Sequence, residues 1–175
     1  MLHLFLPNKH VKDVFVITPE FLQSIHKKGI IVDLDNTLIP WNEKHATEKI
    51  KEWLSKLEEA NIQVIIFSNN NKERVALFAE PLKMPFIYRA RKPLQKAFRE
   101  AKTLLQLQTE DIVVIGDQLL TDILGGNRAG LFTILVVPIV QSDAAITKFN
   151  RRIERMILNR FYRKGQLEKK EMERD

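Results

Sequence analysis

The sequence predicts an α/β protein in which helices cover both faces of a doubly wound parallel sheet. Short β-branched runs, such as Ile30–Leu34 and Val64–Phe67, alternate with segments of helical period. These runs are apolar at successive positions, which is typical of parallel strands buried on both faces. A chain of 175 residues with 45% hydrophobic composition can bury one full core. We expect a domain over residues 1–141 and a basic amphipathic helix and tail over 142–175, either part of that domain or appended to it.

The elements alternate between strand and helix along the chain. The predicted strands are 30–34, 64–67, 86–88, 112–115 and 131–137, and the predicted helices are 47–60, 72–79, 93–107 and 121–129. Asn71 is a suitable N-cap for the second helix. Pro93 is expected at the first position of the third helix, where its missing N–H is not needed.

Polar residues follow several predicted strands at the point where each strand ends. Asp33 and Asp35 close the first strand, Ser68 follows the second, and Asp117 follows the fourth. Ligands of parallel sheets bind at the carboxyl ends of the strands, so these side chains are expected at one edge. Two carboxylates two residues apart on extended chain point to the same side and favour a cation between them. The pattern predicts a metal ion, phosphoryl chemistry or both.

Hydrolysis of a phosphate monoester needs a nucleophile, a proton donor, phosphate ligands and a divalent cation. Asp33 is the candidate nucleophile, and Asp35 the candidate acid and base. Asp33 and Asp117 can bind Mg²⁺, a hard ion that prefers oxygen ligands. The candidate phosphate ligands are Ser68, Asn69 and Lys92, and the candidate supporting residue, for a metal-bound water or for Lys92, is Asp122.

Each of these residues also has a purely structural interpretation. The paired carboxylates are also compatible with a solvated turn, and Ser68 and Lys92 with ordinary loops. Asp122 is also compatible with a helix start, where the helix dipole stabilises an acidic residue. Trp41 suits either a flap over the site or packing. Arg89 and Arg91 suit either an anionic substrate or solvated surface, so their roles stay open.

Four segments resemble, in order, the four motifs of the haloacid dehalogenase superfamily. They are Asp33-Leu34-Asp35-Asn36-Thr37-Leu38, Ser68-Asn69-Asn70, Lys92-Pro93, and Gly116-Asp117-Gln118-Leu119-Leu120-Thr121-Asp122. The resemblance implies that Asp33 is the nucleophile and Asp35 the acid and base. It also implies that Ser68 and Lys92 hold phosphate, and that Asp117 and the backbone carbonyl of Asp35 are Mg²⁺ ligands. Asn36 stands where many members carry glycine.

The opening of the chain is similar to one branch of that superfamily. Leu6-Pro7, Ile17-Thr18-Pro19-Glu20 and the run from Gly29 to Leu38 resemble the bacterial YqeG family of subclass IIIA phosphatases. That family is similar to the phosphatidylglycerophosphate phosphatases of mitochondria and plastids. The resemblance implies an aspartyl-phosphate mechanism and a lipid substrate on the route to phosphatidylglycerol and cardiolipin.

The spacing of the motifs leaves no room for a cap domain over the site. About 30 residues separate Asp33 from Ser68, and about 20 separate Ser68 from Lys92, so neither interval can form an independent domain. An open site suits a large or surface-bound phosphate ester, although oligomerisation could also cover it.

The charge of the chain is concentrated near its C-terminus. The net charge is +6, and residues 142–164 carry seven bases against two acids. Ile146, Phe149, Ile153, Met156 and Ile157 recur at helical spacing, with the bases largely off that stripe. A packed helix with a solvated cationic face, a helix on an anionic membrane and a nucleic-acid contact all remain open.

The sequence-based hypothesis is a Mg²⁺-dependent phosphatase for phosphatidylglycerophosphate. The alternatives are a soluble phosphatase for a phosphosugar, phosphoprotein or nucleic-acid end, and a nucleic-acid- or ribosome-binding protein on a phosphatase-like fold. The chain has no cysteine, no apolar run of about 20 residues and a start too short for a signal-peptide core, so a cytoplasmic protein is expected, with contact to the inner membrane face left open.

Overall fold

The structure is a computed structural model that describes residues 2–140 and 145–167, with side chains from 150 onward in the last helix. The strands are β1 Lys9–Val11, β2 Gly29–Val32, β3 Gln63–Phe67, β4 Phe86–Ile87, β5 Ile112–Gly116 and β6 Phe132–Val136. The helices are α1 Pro19–Ser24, α2 Glu48–Glu59, α3 Lys72–Ala79, α4 Gln95–Leu105, α5 Leu124–Arg128 and α6 Ala145–Arg163.

All six strands form one parallel sheet in the order β1-β6-β5-β2-β3-β4. β2 lies in the middle, and its residues pair with β3 on one side and β5 on the other. The predicted doubly wound α/β fold is therefore confirmed. The edge strand β1 was not predicted, because three residues carry no periodic signal and its pairing partner β6 lies more than 100 residues along the chain.

Side-chain alternation along the strands builds a separate core on each face of the sheet. Ile30 and Val32 pack on one face with α2 and α3, whereas Ile31 packs on the other face with α4. A strand residue and its successor point to opposite faces, so a run that is apolar throughout serves both cores.

Several predicted boundaries were wrong near the site. β2 ends at Val32, so Asp33 and Leu34 lie beyond the strand. The helix predicted to open at Pro93 begins at Gln95, because Leu94 is extended and its N–H donates to Arg91 O in a turn. The helix predicted over 121–129 is a π-helical turn, Leu119–Ile123, followed by α5. Such turns are rare and often lie at functional sites.

The described residues contain no inserted cap between the strands that carry the motifs. A loop and α2 connect β2 to β3, and α3 with one short turn connects β3 to β4. No described helix is long and apolar enough to cross a membrane.

The C-terminal helix α6 packs beside the carboxyl end of β5. Phe161 is buried, and Ile157 and Leu158 contact a small apolar cluster formed by Leu119, Ile123 and Leu135. Met156, predicted on the apolar stripe, is 67% exposed, because the buried side of α6 instead runs through Glu154 and Phe161. The predicted tail beyond residue 167 and the side chains of Ile146 and Phe149 lie outside the described part of the chain.

Candidate active site

Lys92 connects two carboxylates at the centre of the carboxyl edge of the sheet. Its Nζ lies 2.6 Å from Asp33 Oδ1 and 2.7 Å from Asp122 Oδ1, and it also donates to Phe67 O at 3.0 Å. All three charged side chains are buried. A buried ammonium between two buried carboxylates makes charge-assisted hydrogen bonds in a region that excludes most water.

This environment changes the ionisation of the central groups. Burial raises the pKa of Asp33 to about 8; Lys92 opposes the rise, and the neighbouring Asp122 and Asp117 add to it. Burial by itself would lower the pKa of Lys92, but Asp122 and Asp33 raise it above its ordinary value. Lys92 is therefore a permanent cation, whereas Asp33 needs further positive charge to be ionised at neutral pH.

Asp117 lies at the end of β5, next to the central strand. Its Oδ1 accepts from Thr37 Oγ1 at 3.3 Å, and its Oδ2 accepts from Arg151 of α6. Arg151 Nη1 also donates to the backbone carbonyl of Asp117 at 2.5 Å. Burial raises the pKa of Asp117 to about 6, although Arg151 opposes the shift.

The carboxylates of the site fit a divalent cation. Asp33, Asp117 and Asp122 each offer one oxygen, and these oxygens lie within 4.8 Å of one another. All three residues are buried, and burial raises the pKa of Asp33 and of Asp117 although Lys92 and Arg151 oppose the rise. Three hard oxygen donors with only two neighbouring cations suit Mg²⁺ or a similar ion.

Asp35 lines the same cavity as Lys92 and has partners from the loop after β3 and from α3. Ser68 Oγ lies 3.5 Å and Asn70 Nδ2 3.3 Å from Asp35 Oδ2. Arg74 Nη2 lies 2.8 Å from Asp35 Oδ1, as an ion pair without hydrogen-bond geometry. The guanidinium of Arg74 is buried and makes no hydrogen bond to any described residue.

Asn69 connects the third strand to Lys92. Its Oδ1 accepts from Lys92 N at 2.7 Å, and its Nδ2 donates to Lys92 O at 3.4 Å. The amide therefore positions the backbone of Lys92, and one of its two N–H groups remains for the predicted phosphate contact.

An open cavity of about 320 Å³ lies above these groups. The residues that line it are Asp33, Asp35, Ser68, Asn69, Asn70, Lys92, Gln118 and Thr121. The structure thus brings five of the predicted site residues, Asp33, Asp35, Ser68, Asn69 and Lys92, to one cavity. Asp122 bonds to Lys92, and a carboxylate oxygen of Asp117 lies within 4.8 Å of one from Asp33. Their catalytic roles stay predictions.

Two local backbone features explain residue choices in the motifs. A Cβ on Gly116 would lie 2.3 Å from Asp122 Cγ, so only glycine lets this carboxylate approach Lys92. Asn36 has φ 66°, a left-handed conformation that asparagine tolerates better than most residues. This tolerance explains why asparagine can stand where many members of the resembling superfamily carry glycine.

Two arginines at the site were not predicted as functional residues. Arg74 lies on the first turn of α3, three residues after the N-cap Asn71, so its position at the carboxyl edge was a usable signal. Arg151 was counted among the bases of the C-terminal block, whose role was left open, and the structure pairs it with Asp117. No local pattern marks it, because its contact with Asp117 spans 34 residues.

Two family models match the chain. One, described as haloacid dehalogenase-like hydrolase, covers residues 30–90, and the other, described as HAD-hydrolase-like, covers residues 89–162. The chain is 56% identical over 164 residues to the probable phosphatase YqeG of Bacillus subtilis, covering 94% of this chain and 95% of that protein.

More distant similarities agree with this result. The chain is 28% identical over 171 residues to phosphatidylglycerophosphate phosphatase 1 of Arabidopsis thaliana, covering 91% of this chain and 49% of that protein. A cobalt-bound deoxy-D-mannose-octulosonate 8-phosphate phosphatase from Haemophilus influenzae has a similar fold, with a TM-score of 0.51 and 16% identity over 77% of this chain and 88% of that chain.

Proposed function

The chain belongs to the YqeG family of haloacid dehalogenase-like phosphatases, and we propose that it hydrolyses phosphatidylglycerophosphate with Mg²⁺ through an aspartyl-phosphate on Asp33. The observation that carries this proposal is the placement of Asp33 beside Lys92 on the floor of an open, uncapped cavity. Asp35 lines the same cavity and faces it from the neighbouring turn.

The proposed reaction has two displacements at phosphorus. An Asp33 oxygen attacks phosphorus while the bond to the leaving oxygen breaks, and Asp35 donates its proton to that oxygen. Asp35 then takes a proton from water, whose oxygen attacks phosphorus and breaks the bond to Asp33. Inorganic phosphate leaves, and both carboxyl groups return to their starting states.

The side chains around the cavity divide the remaining work. Lys92 and Ser68 line the cavity, and their proposed role is to stabilise negative charge on the transferring phosphate. Asp122 holds Lys92, and Gln118 N donates to Asp122 Oδ2 at 3.1 Å, so the ammonium has a fixed position.

Asp33, Asp117 and the backbone carbonyl of Asp35 are the proposed Mg²⁺ ligands. Bound Mg²⁺ would favour the ionised form of Asp33 and offset the charge of the phosphate. The raised pKa of Asp33 supports this assignment, because the nucleophile must be ionised to attack.

The lipid substrate is supported by the Arabidopsis relative and by the open cavity. The exposed side of α6 carries four arginines with helical spacing: Arg152, Arg155, Arg160 and Arg163. This cationic side supports a cytoplasmic protein that meets an anionic membrane surface.

The test is a side-by-side assay of the purified protein with Mg²⁺. Phosphatidylglycerophosphate in anionic vesicles is expected to turn over faster than phosphosugars, phosphopeptides or phosphorylated nucleic-acid ends. Preference for one of the soluble esters would contradict the lipid assignment while keeping the phosphatase. Co-sedimentation with ribosomes instead of vesicles would favour the binding-protein alternative.

Asp33→Asn tests the nucleophile. We expect turnover to fall by at least about 10³-fold, because an amide oxygen is a poor nucleophile and the two-step route needs a carboxylate. Circular dichroism and the melting temperature check that the variant is folded. Normal turnover by folded Asp33→Asn protein would refute the aspartyl-phosphate.

A further inference from the structure

We propose that the loops around the cavity form a surface that docks on an anionic lipid bilayer. We call it the rim surface, and its residues are Trp41, Tyr88, Arg89, Arg91, Leu94 and Ile139. This inference deepens the proposed function and rests on it, since it concerns how a lipid phosphate ester reaches the site.

Four large apolar side chains of the rim surface are exposed to solvent. Trp41 is 52% exposed, Tyr88 40%, Leu94 56% and Ile139 45%. They follow the carboxyl ends of β2, β4 and β6, so the topology places all of them at the edge that carries the cavity. Single exposed apolar residues are ordinary, but several around one opening indicate an interaction surface.

Backbone hydrogen bonds tie these loops directly to the catalytic segment. Trp41 N donates to Asn36 Oδ1 at 3.4 Å, and Ile139 N donates to Asn36 O at 3.0 Å. Asn36 is the residue between Asp35 and Thr37, so Trp41 and Ile139 lie beside the catalytic segment.

The loop after β4 carries the positive charge of the rim surface. Arg89 N donates to Asn70 O at 2.8 Å, and Asn70 in turn contacts Asp35. Arg89 and Arg91 are exposed, and the segment 88–94 contains no acidic residue. Both arginines have positive φ, 47° and 52°, which long side chains rarely adopt. Strained residues that persist beside a site commonly serve its function.

The mixture of side chains favours a bilayer over other anionic partners. Tryptophan and tyrosine prefer the interfacial region of a membrane, and arginine binds lipid phosphates there. Leu94 and Ile139 are aliphatic, so they cannot stack on nucleic-acid bases but can enter the acyl boundary. A bilayer over the opening would also exclude water from a cavity that has no cap.

Trp41 supplies a direct reporter of docking. The other tryptophan, Trp53, is 5% exposed and donates to Ile17 O, so bilayer contact is expected to change mainly Trp41 fluorescence. Vesicles of phosphatidylcholine and phosphatidylglycerol with brominated acyl chains should quench the wild type and shift its emission to the blue. Trp41→Phe should lose both effects. Equal quenching in Trp41→Phe, or none in the wild type, would refute the proposed orientation.

Two leucines at opposite ends of α4 provide a matched comparison. Leu94 is 56% exposed just before the helix, and Leu104 is 53% exposed near its other end, away from the cavity. Leu94→Ser is expected to weaken co-sedimentation with anionic vesicles several-fold, whereas Leu104→Ser should bind like the wild type. Equal effects of both substitutions would refute the rim surface.

The arginines are tested with Arg89→Asn and Arg91→Asn, since asparagine tolerates positive φ. Both variants should weaken binding to anionic vesicles several-fold. Normal vesicle binding by these variants, or loss of RNA binding in place of vesicle binding, would contradict the inference.

Failure of the inference and failure of the proposed function give different results. If Leu94→Ser binds vesicles normally while the wild type hydrolyses phosphatidylglycerophosphate, only the docking surface is wrong. If the rim variants lose vesicle binding but the wild type does not hydrolyse that lipid, the docking surface holds and the substrate is wrong.

Discussion

The Lys92 ammonium is buried between the carboxylates of Asp33 and Asp122, at the wall of the cavity. Each carboxylate also depends on Lys92, because burial alone disfavours its charge. The ammonium and the two carboxylates therefore compensate each other's charge, and removing one of these side chains leaves a buried charge without its partner.

Replacement of Lys92 tests this requirement at the level of one residue. Lys92→Met is expected to lower the free energy of unfolding by about 3–5 kcal/mol, as for other buried pairs that lose one partner. The double substitution Lys92→Met with Asp122→Asn should recover part of the loss, since it removes one of the stranded charges. Denaturant unfolding measures both values. An unchanged free energy of unfolding in the single variant would contradict the buried triad.

The pH dependence of stability is a second residue-scale prediction. Burial raises the pKa of Asp33 to about 8 and of Asp117 to about 6 in the absence of a metal. A carboxyl group with a higher pKa in the folded chain stabilises it below the unfolded pKa, about 4, and that contribution is lost as the pH rises through the folded pKa. As the pH rises from about 4 to about 8, the melting temperature of Mg²⁺-free wild type should therefore fall relative to the melting temperature of Asp33→Asn.

Added Mg²⁺ should reverse that trend. The ion binds the ionised carboxylates, so its stabilising effect is expected to grow with pH over the same interval. The measurement is thermal unfolding with and without Mg²⁺, and the reference is chelator-treated, metal-free protein. Identical curves with and without Mg²⁺ would argue against a cation at Asp33 and Asp117.

At the scale of elements, α6 is the unexpected contributor to the site. Arg151 binds both the side chain and the backbone carbonyl of Asp117, and Glu154 accepts from Leu120 N at 3.2 Å in the π-helical turn. Arg151 Nη1 and Glu154 Oε2 are 3.1 Å apart, so the pair fixes α6 against the segment that carries Asp117.

Arg151→Gln separates the helix from the carboxylate while keeping a polar side chain. The metal-free variant should melt at a lower temperature, because Asp117 loses its counter-ion. The increase in melting temperature on adding Mg²⁺ should be larger than in the wild type, since a divalent cation no longer shares Asp117 with a guanidinium. Arg152→Gln on the exposed side is the matched control. A smaller Mg²⁺ effect in Arg151→Gln would show that Arg151 helps to build the metal site.

At the scale of the whole molecule, sheet order assembles the site. β5, β2 and β3 are neighbours in a parallel sheet, so Asp117, Asp33 and Ser68 emerge side by side although they are separated by 30 residues or more in sequence. Lys92 joins them from the loop after β4, which is the next strand outward.

Truncation tests whether α6 belongs to the same folding unit as the sheet. A chain ending at Val140 would expose the apolar cluster of Leu119, Ile123 and Leu135. We expect the truncated chain to melt at a lower temperature than the full chain. The full chain should unfold in a single calorimetric transition. The exposed-side substitution Met156→Ala should change the free energy of unfolding by no more than about 0.5 kcal/mol. A truncated chain with wild-type stability would identify residues 141–175 as an appendage.

The catalytic edge was largely predictable because its residues have local signatures. Asp33, Ser68 and Asp117 each follow an apolar run, and parallel topology sends such positions to one edge. Asp122 was predicted to support either a metal-bound water or Lys92, and the structure shows it bonded to Lys92. The backbone contacts of Lys92 with Asn69 appeared only in the structure. The predicted helix boundaries were wrong at Pro93 and around Thr121, because hydrogen bonds to the motif segments override local helix propensity there.

The amino-acid sequence by itself determined the α/β class, the strand ends that carry the chemistry, and the family to which the chain belongs. These features are local, because they depend on periodicity and on short motifs. Only the tertiary structure decided that Arg74 contacts Asp35, that Arg151 contacts Asp117, and that Ile139 donates to Asn36 O. Each of these contacts joins segments distant in sequence, and their positions depend on how whole helices and loops pack against the sheet.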